Sequence, residues 1–283
     1  MDGNESLMAA YTNGLRAWTS GPERLAAAAP RRVAVLRALP GLGDFLCLVP
    51  ALRALRAALP AAQIVLIGLP SAAPLVRRVD GYLDGLLEFP GFPGIPEVPF
   101  SASDFKNWLS SVPVSGPQAG RFDLVLQMHG NGMVMNSFAS ILGGRHTAGF
   151  YLPGFYCPDP ERFLAWPSTE PEVWRLLRLV EFLGVPLQGD YLEFPLLTGD
   201  WDSLAALPEA QDMTSRQYAV LHPGAFDPVR RWPAERCAAV ADELSARGLQ
   251  VIVSGTAAES EAAQAVTRAV AHPVINLAGR TSL

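Results

Sequence analysis

Short runs of consecutive apolar residues alternate along this chain with longer stretches whose apolar positions recur every three or four residues. In the first half the runs are Arg32–Leu36, Ile64–Gly68, Leu86–Phe89, Phe122–Gln127 and Thr147–Phe150. Continuous rather than alternating hydrophobicity predicts strands of a parallel sheet covered on both faces. Between the first two runs, Phe45, Val49, Leu52, Leu55 and Leu59 fall near one helical face, and Pro50 is placed to weaken or kink the early turns of that helix. Pro171–Leu183 predicts a second helix, ended by Gly184 and Pro186. Residues 90–103 are rich in Pro and Gly and predict a long loop, a usual seat of binding. After a boundary within 184–200 the alternation restarts: strand Tyr218–His222, helix Pro233–Arg247, strand Gln250–Ser254, helix Ala257–Ala271, strand Val274–Leu277. Pro233 at the start of its helix and Gly248 just past the end follow the usual asymmetry of helix termini.

The pattern therefore gives two α/β units in series, residues 31–195 and 196–283. They follow an appended segment, residues 1–30, with one short helix expected near Leu7–Trp18 and a linker ending Ala26–Pro30. The second unit shows only three convincing strands, and Arg280, Thr281, Ser282 and Leu283 read like the opening of another helix. A second domain cut short is expected, with a sheet edge and one face left for something else to cover.

Composition narrows the partners. Of 283 residues 49% are apolar, enough for a large core, and the net charge of −5 argues against nucleic acid as the main partner. Cys47, Cys157 and Cys237 are odd in number and far apart, which suggests neither a disulfide framework nor a zinc site and fits a reducing compartment. Uncharged stretches such as Gln63–Val76 carry Pro and Gly and fall short of a membrane span. Asp2 and Glu5 stand where a signal peptide would be basic.

Candidate chemistry collects where strands end. Gly41-Leu42-Gly43-Asp44 joins the first strand to its helix, as in nucleotide-binding α/β domains. The third glycine of a dinucleotide fingerprint is replaced by Leu46, and the second strand ends Gly68-Leu69-Pro70-Ser71 with no acid for a ribose, so a nicotinamide site is poorly supported. Asp44 at a helix start would repel phosphate; it suits either a general base for a hydroxyl or, more simply on spacing alone, a helix cap or first-turn acid. His129 and Asn131, in Gln127-Met128-His129-Gly130-Asn131-Gly132, can contact a polyhydroxyl ligand or merely build a turn. In the second half His222-Pro223-Gly224-Ala225 leads to Arg230-Arg231-Trp232-Pro233. Two guanidiniums before a helix N-terminus favour an anion, the alternative being a solvated basic pair with Trp232 as a hydrophobic staple. Ser254-Gly255-Thr256 places Glu259 in a first turn, where it can hold ribose hydroxyls or stabilise the helix dipole.

In order and spacing these segments resemble glycosyltransferase family 9, the ADP-heptose:lipopolysaccharide heptosyltransferases, over residues 31–283. The marks are Gly43-Asp44 with Pro50-Ala51-Leu52, then His222-Pro223-Gly224-Ala225, Arg231-Trp232-Pro233, Ser254-Gly255 with Glu259, and the segment Asn276–Leu283. The resemblance implies an α/β fold of the GT-B type, two Rossmann-like domains with parallel sheets, the second incomplete: family members continue into a further diphosphate-binding loop. It implies inverting sugar transfer without a metal or bound cofactor, from a nucleotide-diphosphate sugar, ADP-linked in the subgroup that names the family. The acceptor would be a glycan or glycolipid, met in the cytoplasm with at most peripheral contact at the inner face of the inner membrane. By matching position Asp44 is the base; Gly43 beside it, and His129 and Asn131 from their place after a strand, are expected on the acceptor side. His222, Gly224, Arg230, Arg231, Gly255 and Glu259 lie on the donor side, Arg230 contacting phosphate and Glu259 the ribose. Two other readings remain: a non-catalytic remnant that binds a saccharide or a partner, and, less well supported, an oxidoreductase.

Overall fold

The computed structural model describes Leu25 and residues 30–112, 122–211, 213, 217–225 and 227–281; the helix expected near Leu7–Trp18 lies outside them. The chain divides into two compact units, Met1–Pro195 and Leu196–Leu283.

In the first unit, six parallel strands take the order β3-β2-β1-β4-β5-β6: β1 Arg32–Leu36, β2 Gln63–Gly68, β3 Gly85–Glu88, β4 Phe122–Gln127, β5 Gly144–Tyr151 and β6 Phe163–Ala165. The period-two pleat sends Val33 and Val35 to one face and Ala34 and Leu36 to the other, and all four are fully buried. That double coverage is why the strand reads as an unbroken apolar run. Helices α1 (Leu42–Ala58), α2 (Ala73–Arg78) and α5 (Glu172–Phe182) cover the Val33/Val35 face. On the other face lie α3 (Ala102–Ser111), α4 (Met135–Ile141) and the loop between β3 and α3.

Three expectations are corrected here. Helix α1 runs unbroken through Pro50. It is also buried over most of its circumference, not one face, because it lies between the sheet and α5 while the segment approaching Pro195 wraps it. Arg53, which would look solvent-facing in sequence, is buried there: it donates to the carbonyls of Gln188, Gly189 and Tyr191, pairs with Glu193 and stacks on the Tyr191 ring. Finally, the loop predicted over 90–103 stops at Ser101, whose hydroxyl accepts the Asp104 N–H and starts α3.

The second unit holds β7 (Tyr218–Leu221), β8 (Gln250–Val253) and β9 (Ile275–Asn276), parallel and in that order. Helices α7 (Ala234–Ala246) and α8 (Ser260–Ala269) pack on each other over Cys237, Val253, Ala263 and Val266, while α6 (Thr198–Ala205) precedes β7. The helix predicted from Ala257 opens as a tighter turn, Ala257–Glu259, before α8 begins. Trp232, the suggested staple, is instead exposed.

Candidate active site

In the first sheet β1 has β2 on one side and β4 on the other, so the chain reverses its direction of travel between β1 and β4. Such a switch point leaves a crevice beyond the carboxyl ends of the two strands. Leu36 and Gln127, the last residues of β1 and β4, are paired in register. The residues that follow are cross-linked: Met128 N–H donates to the Leu36 carbonyl at 3.0 Å, and Ala38 N–H donates to His129 Nδ1 at 3.2 Å. Accepting at Nδ1 puts the ring proton of a neutral His129 on Nε2, leaving a donor on the other side of the ring.

Arg37 organises this end of the sheet. Its side chain is only 2% exposed. Nη1 donates to the Met128 carbonyl at 2.8 Å, and Nε donates to the Asp44 carbonyl at 3.0 Å. The charge meets two carboxylates, Glu172 Oε1 at 3.0 Å and Asp44 Oδ1 at 3.7 Å. Nη2 is buried without a hydrogen-bond partner among the described residues.

Asp44 is the acid in the first turn of α1, whose N-cap, Gly41, offers no side chain to cap the helix. A Cβ on Gly41 would lie 2.3 Å from Asp44 Oδ2, so a side chain there would displace the carboxylate from the place it holds. The first glycine of the apparent dinucleotide fingerprint thus accommodates an aspartate where a phosphate cradle would need open backbone N–H groups. Asp44 keeps 44% of its side chain exposed. Beside it, a Cβ on Gly43 would meet nothing within 4 Å, so the fold itself does not require glycine at that point.

His129 is buried, and burial pushes its imidazole below the ordinary 6.5, with Glu97 acting in the opposite sense and Arg37 in the same one. Glu97 comes from the Pro/Gly-rich loop, and its Oε2 is buried without a hydrogen-bond partner among the described residues. The lowered value has a consequence for stability. Between it and 6.5 the unfolded chain binds a proton that the folded chain refuses, so stability falls as the pH falls through that window. Denaturant melts from about pH 7.5 to about pH 5 should show a shallower loss in His129→Asn than in wild type; parallel curves would exclude this source. Asn131 accepts the Met133 N–H at Oδ1, 3.1 Å away, and so builds the turn between Gly130 and Gly132.

In the second unit the turns after β7 and β8 converge on Glu259. Its Oε2 accepts from both the N–H and the hydroxyl of Thr256, each at 2.8 Å, and Oε1 lies 3.5 Å from His222 Nε2. The Thr256 N–H, above all, then the Thr256 hydroxyl and, after it, the charge and hydrogen bond of His222 hold the carboxyl below the usual carboxylate range. His222 Nδ1 sits 3.3 Å from Ser254 Oγ. A Cβ on Gly224 would come within 2.4 Å of the Glu259 carboxyl group, whereas one on Gly255 would make ordinary contacts. The tight approach at Gly224 keeps one edge of Glu259 covered by bare backbone. Arg231 donates from Nε to the Ala225 carbonyl at 2.9 Å, tying the turn after β7 to the stretch before α7. Arg230 is exposed at the end of the Pro228–Arg230 turn, with no ion pair among the described residues.

The structure thus gathers Gly43, Asp44, His129 and Asn131 at the end of the first sheet. It gathers His222, Gly224, Gly255 and Glu259 at the end of the second, with Arg231 bonded to the same loop. Sequence reasoning missed Arg37 and Glu172. A charged residue closing an apolar strand immediately before a glycine turn was the available signal for Arg37; Glu172 offers none beyond a first-turn acid. Among the described residues no three His, Cys, Asp or Glu side chains gather in a metal-binding group.

The profile of glycosyltransferase family 9 (heptosyltransferase) matches residues 118–283, more than half of the chain. The chain belongs to glycosyltransferase family 9. It is by that membership a glycosyltransferase. A search of curated protein sequences returns no match. Among solved structures, it is similar to the glycosyl transferase family 9 protein of Veillonella parvula, with 21% identity and a TM-score of 0.67, over 89% of this chain and 70% of that one. It is also similar to E. coli ADP-heptose LPS heptosyltransferase II at 20% identity and TM-score 0.60, covering 88% and 73% of the two chains. E. coli heptosyltransferase WaaC with ADP follows at 15% identity and TM-score 0.56, covering 87% and 75%. These likenesses show the fold, an α/β architecture of the GT-B type with a parallel sheet of six strands in the first unit. Its strand order is one that dinucleotide enzymes also use, but a family 9 member needs no nicotinamide site at Gly41.

Proposed function

We propose that this family 9 member transfers a sugar with inversion from a nucleotide-diphosphate donor, its first unit presenting the acceptor and its second the donor. The observation that carries this reading is the Asp44 carboxylate: half exposed at the switch point, paired with buried Arg37 and lying against Gly41. A carboxylate so placed takes the proton of an acceptor hydroxyl as the oxygen attacks the anomeric carbon. The bond from that carbon to the diphosphate oxygen breaks on the opposite face, which inverts the centre. His129 Nε2–H and the open space beside Gly43 suit a polyhydroxyl acceptor. In the second unit we assign the ribose hydroxyls to the Glu259 carboxylate. Arg230, Arg231 and the N-terminus of α7 offset the charge that grows on the leaving diphosphate, and we assign that task to them rather than to a metal.

The donor we favour is an ADP-linked heptose, because three solved structures to which the chain is similar are heptosyltransferases, described with ADP, with an ADP-linked heptose analogue or by an ADP-heptose name. The acceptor is then a lipopolysaccharide core or another cell-surface glycan, met on the cytoplasmic side where nucleotide sugars are available. No helix among the described residues is long and apolar enough to cross a membrane, and contact with the inner face would be peripheral.

The test begins with ADP-, GDP-, UDP- and dTDP-sugars in a thermal-shift screen, since a ligand bound only by the native state raises its stability. ADP-sugars should give the largest shift, and no shift with any donor would remove the donor half of the proposal. Calorimetry with ADP should then show Arg230→Ala binding about ten- to a hundredfold more weakly, the loss of one charge-assisted contact to phosphate. Intact affinity would take Arg230 out of the phosphate site.

A further inference from the structure

The Asp44 carboxylate shares its cation. Arg37 is buried, and a buried guanidinium needs a permanent counter-charge. If Asp44 were the only one, the pair would be left uncompensated each time Asp44 accepted a proton. The nearer carboxylate, however, is Glu172 at 3.0 Å, against 3.7 Å for Asp44. Glu172 is itself held from behind. It also pairs with Arg175, whose Nε donates to the Pro167 carbonyl at 3.1 Å, whose Nη2 donates to the Glu170 carbonyl at 2.7 Å, and whose guanidinium stacks 4.3 Å from the centre of the Trp166 ring. Trp166 in turn packs edge-on against Phe150 of β5 at 5.1 Å. The position of Glu172 is therefore set by the sheet and by α5, independently of any substrate.

We propose that Glu172 is a positioning residue for Asp44: by taking the nearer share of the Arg37 charge it lets Arg37 fix the Asp44 carboxylate without withholding it from a proton. The proposal rests on the reading of Asp44 as the base. Arg37 locates Asp44 through its backbone carbonyl and one carboxylate oxygen, while Gly41 makes room for the other oxygen. Glu172 keeps Arg37 compensated through both halves of a proton transfer, when Asp44 is charged and when it is neutral. The other groups facing this cluster are the Cys47 thiol on α1 and His129 at the end of β4, with Glu97 beyond His129. Neither Cys47 nor His129 lies between Glu172 and Arg37, which are in direct contact. Burial pushes the Cys47 thiol up, so it is neutral over the range in which a carboxylate titrates, and pushes the His129 imidazole down.

The coupling can be read without turnover. In protein carrying carbon-13 at the aspartate carboxyl carbons, the Asp44 signal is assigned by its absence in Asp44→Asn and followed against pH. With Glu172→Gln, Arg37 keeps a hydrogen-bond acceptor but loses its nearer charge, and Asp44 faces the guanidinium alone. Its proton affinity should fall by about three- to tenfold relative to wild type. In Arg37→Met/Glu172→Gln the buried Arg37–Glu172 pair is gone while Arg175 keeps its bonds to the Pro167 and Glu170 carbonyls, and Asp44 should bind its proton more tightly than in wild type. An unchanged or raised affinity in Glu172→Gln overturns the proposal. Should that variant not fold, the double variant still decides, since equality with wild type would show that the Arg37 cluster does not act on Asp44. A failure of the base reading looks different: transfer would survive in Asp44→Asn whatever the order of the titrations.

Discussion

Replacing Asp44 by Asn should cut sugar transfer by about a hundred- to ten-thousandfold, the usual worth of a general base. The substitution is close to isosteric. The amide oxygen can still face Arg37, the Asp44 backbone carbonyl still accepts from Arg37 Nε, and the side chain still fits over Gly41. What disappears is the ability to accept a proton. Stability should barely move, because a half-exposed ion pair at 3.7 Å is worth about 0–1 kcal/mol. Arg230 and Glu259, the residues we assign to the donor, belong to the other unit, so ADP affinity should be unchanged. The loss therefore belongs in kcat with KM little affected, the pattern of an interaction made in the transition state. The measurements are steady-state transfer with the donor found in the screen, calorimetry with ADP and a thermal melt. Transfer within tenfold of wild type would show that another group takes the acceptor proton. A parallel loss of ADP binding or of folding would show that Asp44 is structural.

How much of this was legible in the sequence differs between backbone and site. Strands β1, β2 and β4 were readable because both faces are buried, which turns a period of two into an unbroken run of Val, Ile and Leu. Strand β6, Phe163–Ala165, was too short to make a run, and α2 hid its apolar side chains among Pro74, Arg77 and Arg78. The start of α3 could have been found, since Ser101 and Asp104 have the spacing of a helix cap; the Pro and Gly just before it drew the reading toward loop. At the site, Asp44 and His129 were visible because strand ends in open parallel sheets mark the crevice. The partnership that holds Asp44 was not visible. Arg37 and Glu172 are joined only by the packing of α5 against α1, and nothing local in either segment specifies that contact. Gly41 has the place of a fingerprint glycine, yet the Asp44 carboxylate lies where its Cβ would be. In the second unit Glu259 was legible as a first-turn acid, but its contact with His222 needed β7 and β8 to be neighbours.

The largest effect on stability is expected from Phe138→Ala. Phe138 of α4 is fully buried on the Leu36 face of the first sheet. Its ring meets those of Phe89, Phe92, Phe105 and Trp108 at centroid distances of 5.1, 5.5, 6.0 and 6.0 Å. Truncation removes a buried aromatic side chain and leaves a cavity, which costs about 3–5 kcal/mol. Most of the partners cannot move in to fill it. Phe89 is fixed at the end of β3, and Phe105 and Trp108 are held on α3. Phe92 is the exception, because it sits in the Pro/Gly-rich loop that also carries Glu97. Collapse into the cavity should therefore drag that loop, and with it the charge that faces His129. Two results follow from one substitution. A thermal or denaturant melt should show a first-unit transition weakened by about 3–5 kcal/mol. Transfer measured well below the new melting temperature should also fall, while ADP binding to the second unit persists. A melt lowered by less than about 1 kcal/mol would mean that the aromatic cluster is loosely packed and repacks without cost. Undiminished transfer in a destabilised variant would instead separate the loop from the acceptor site.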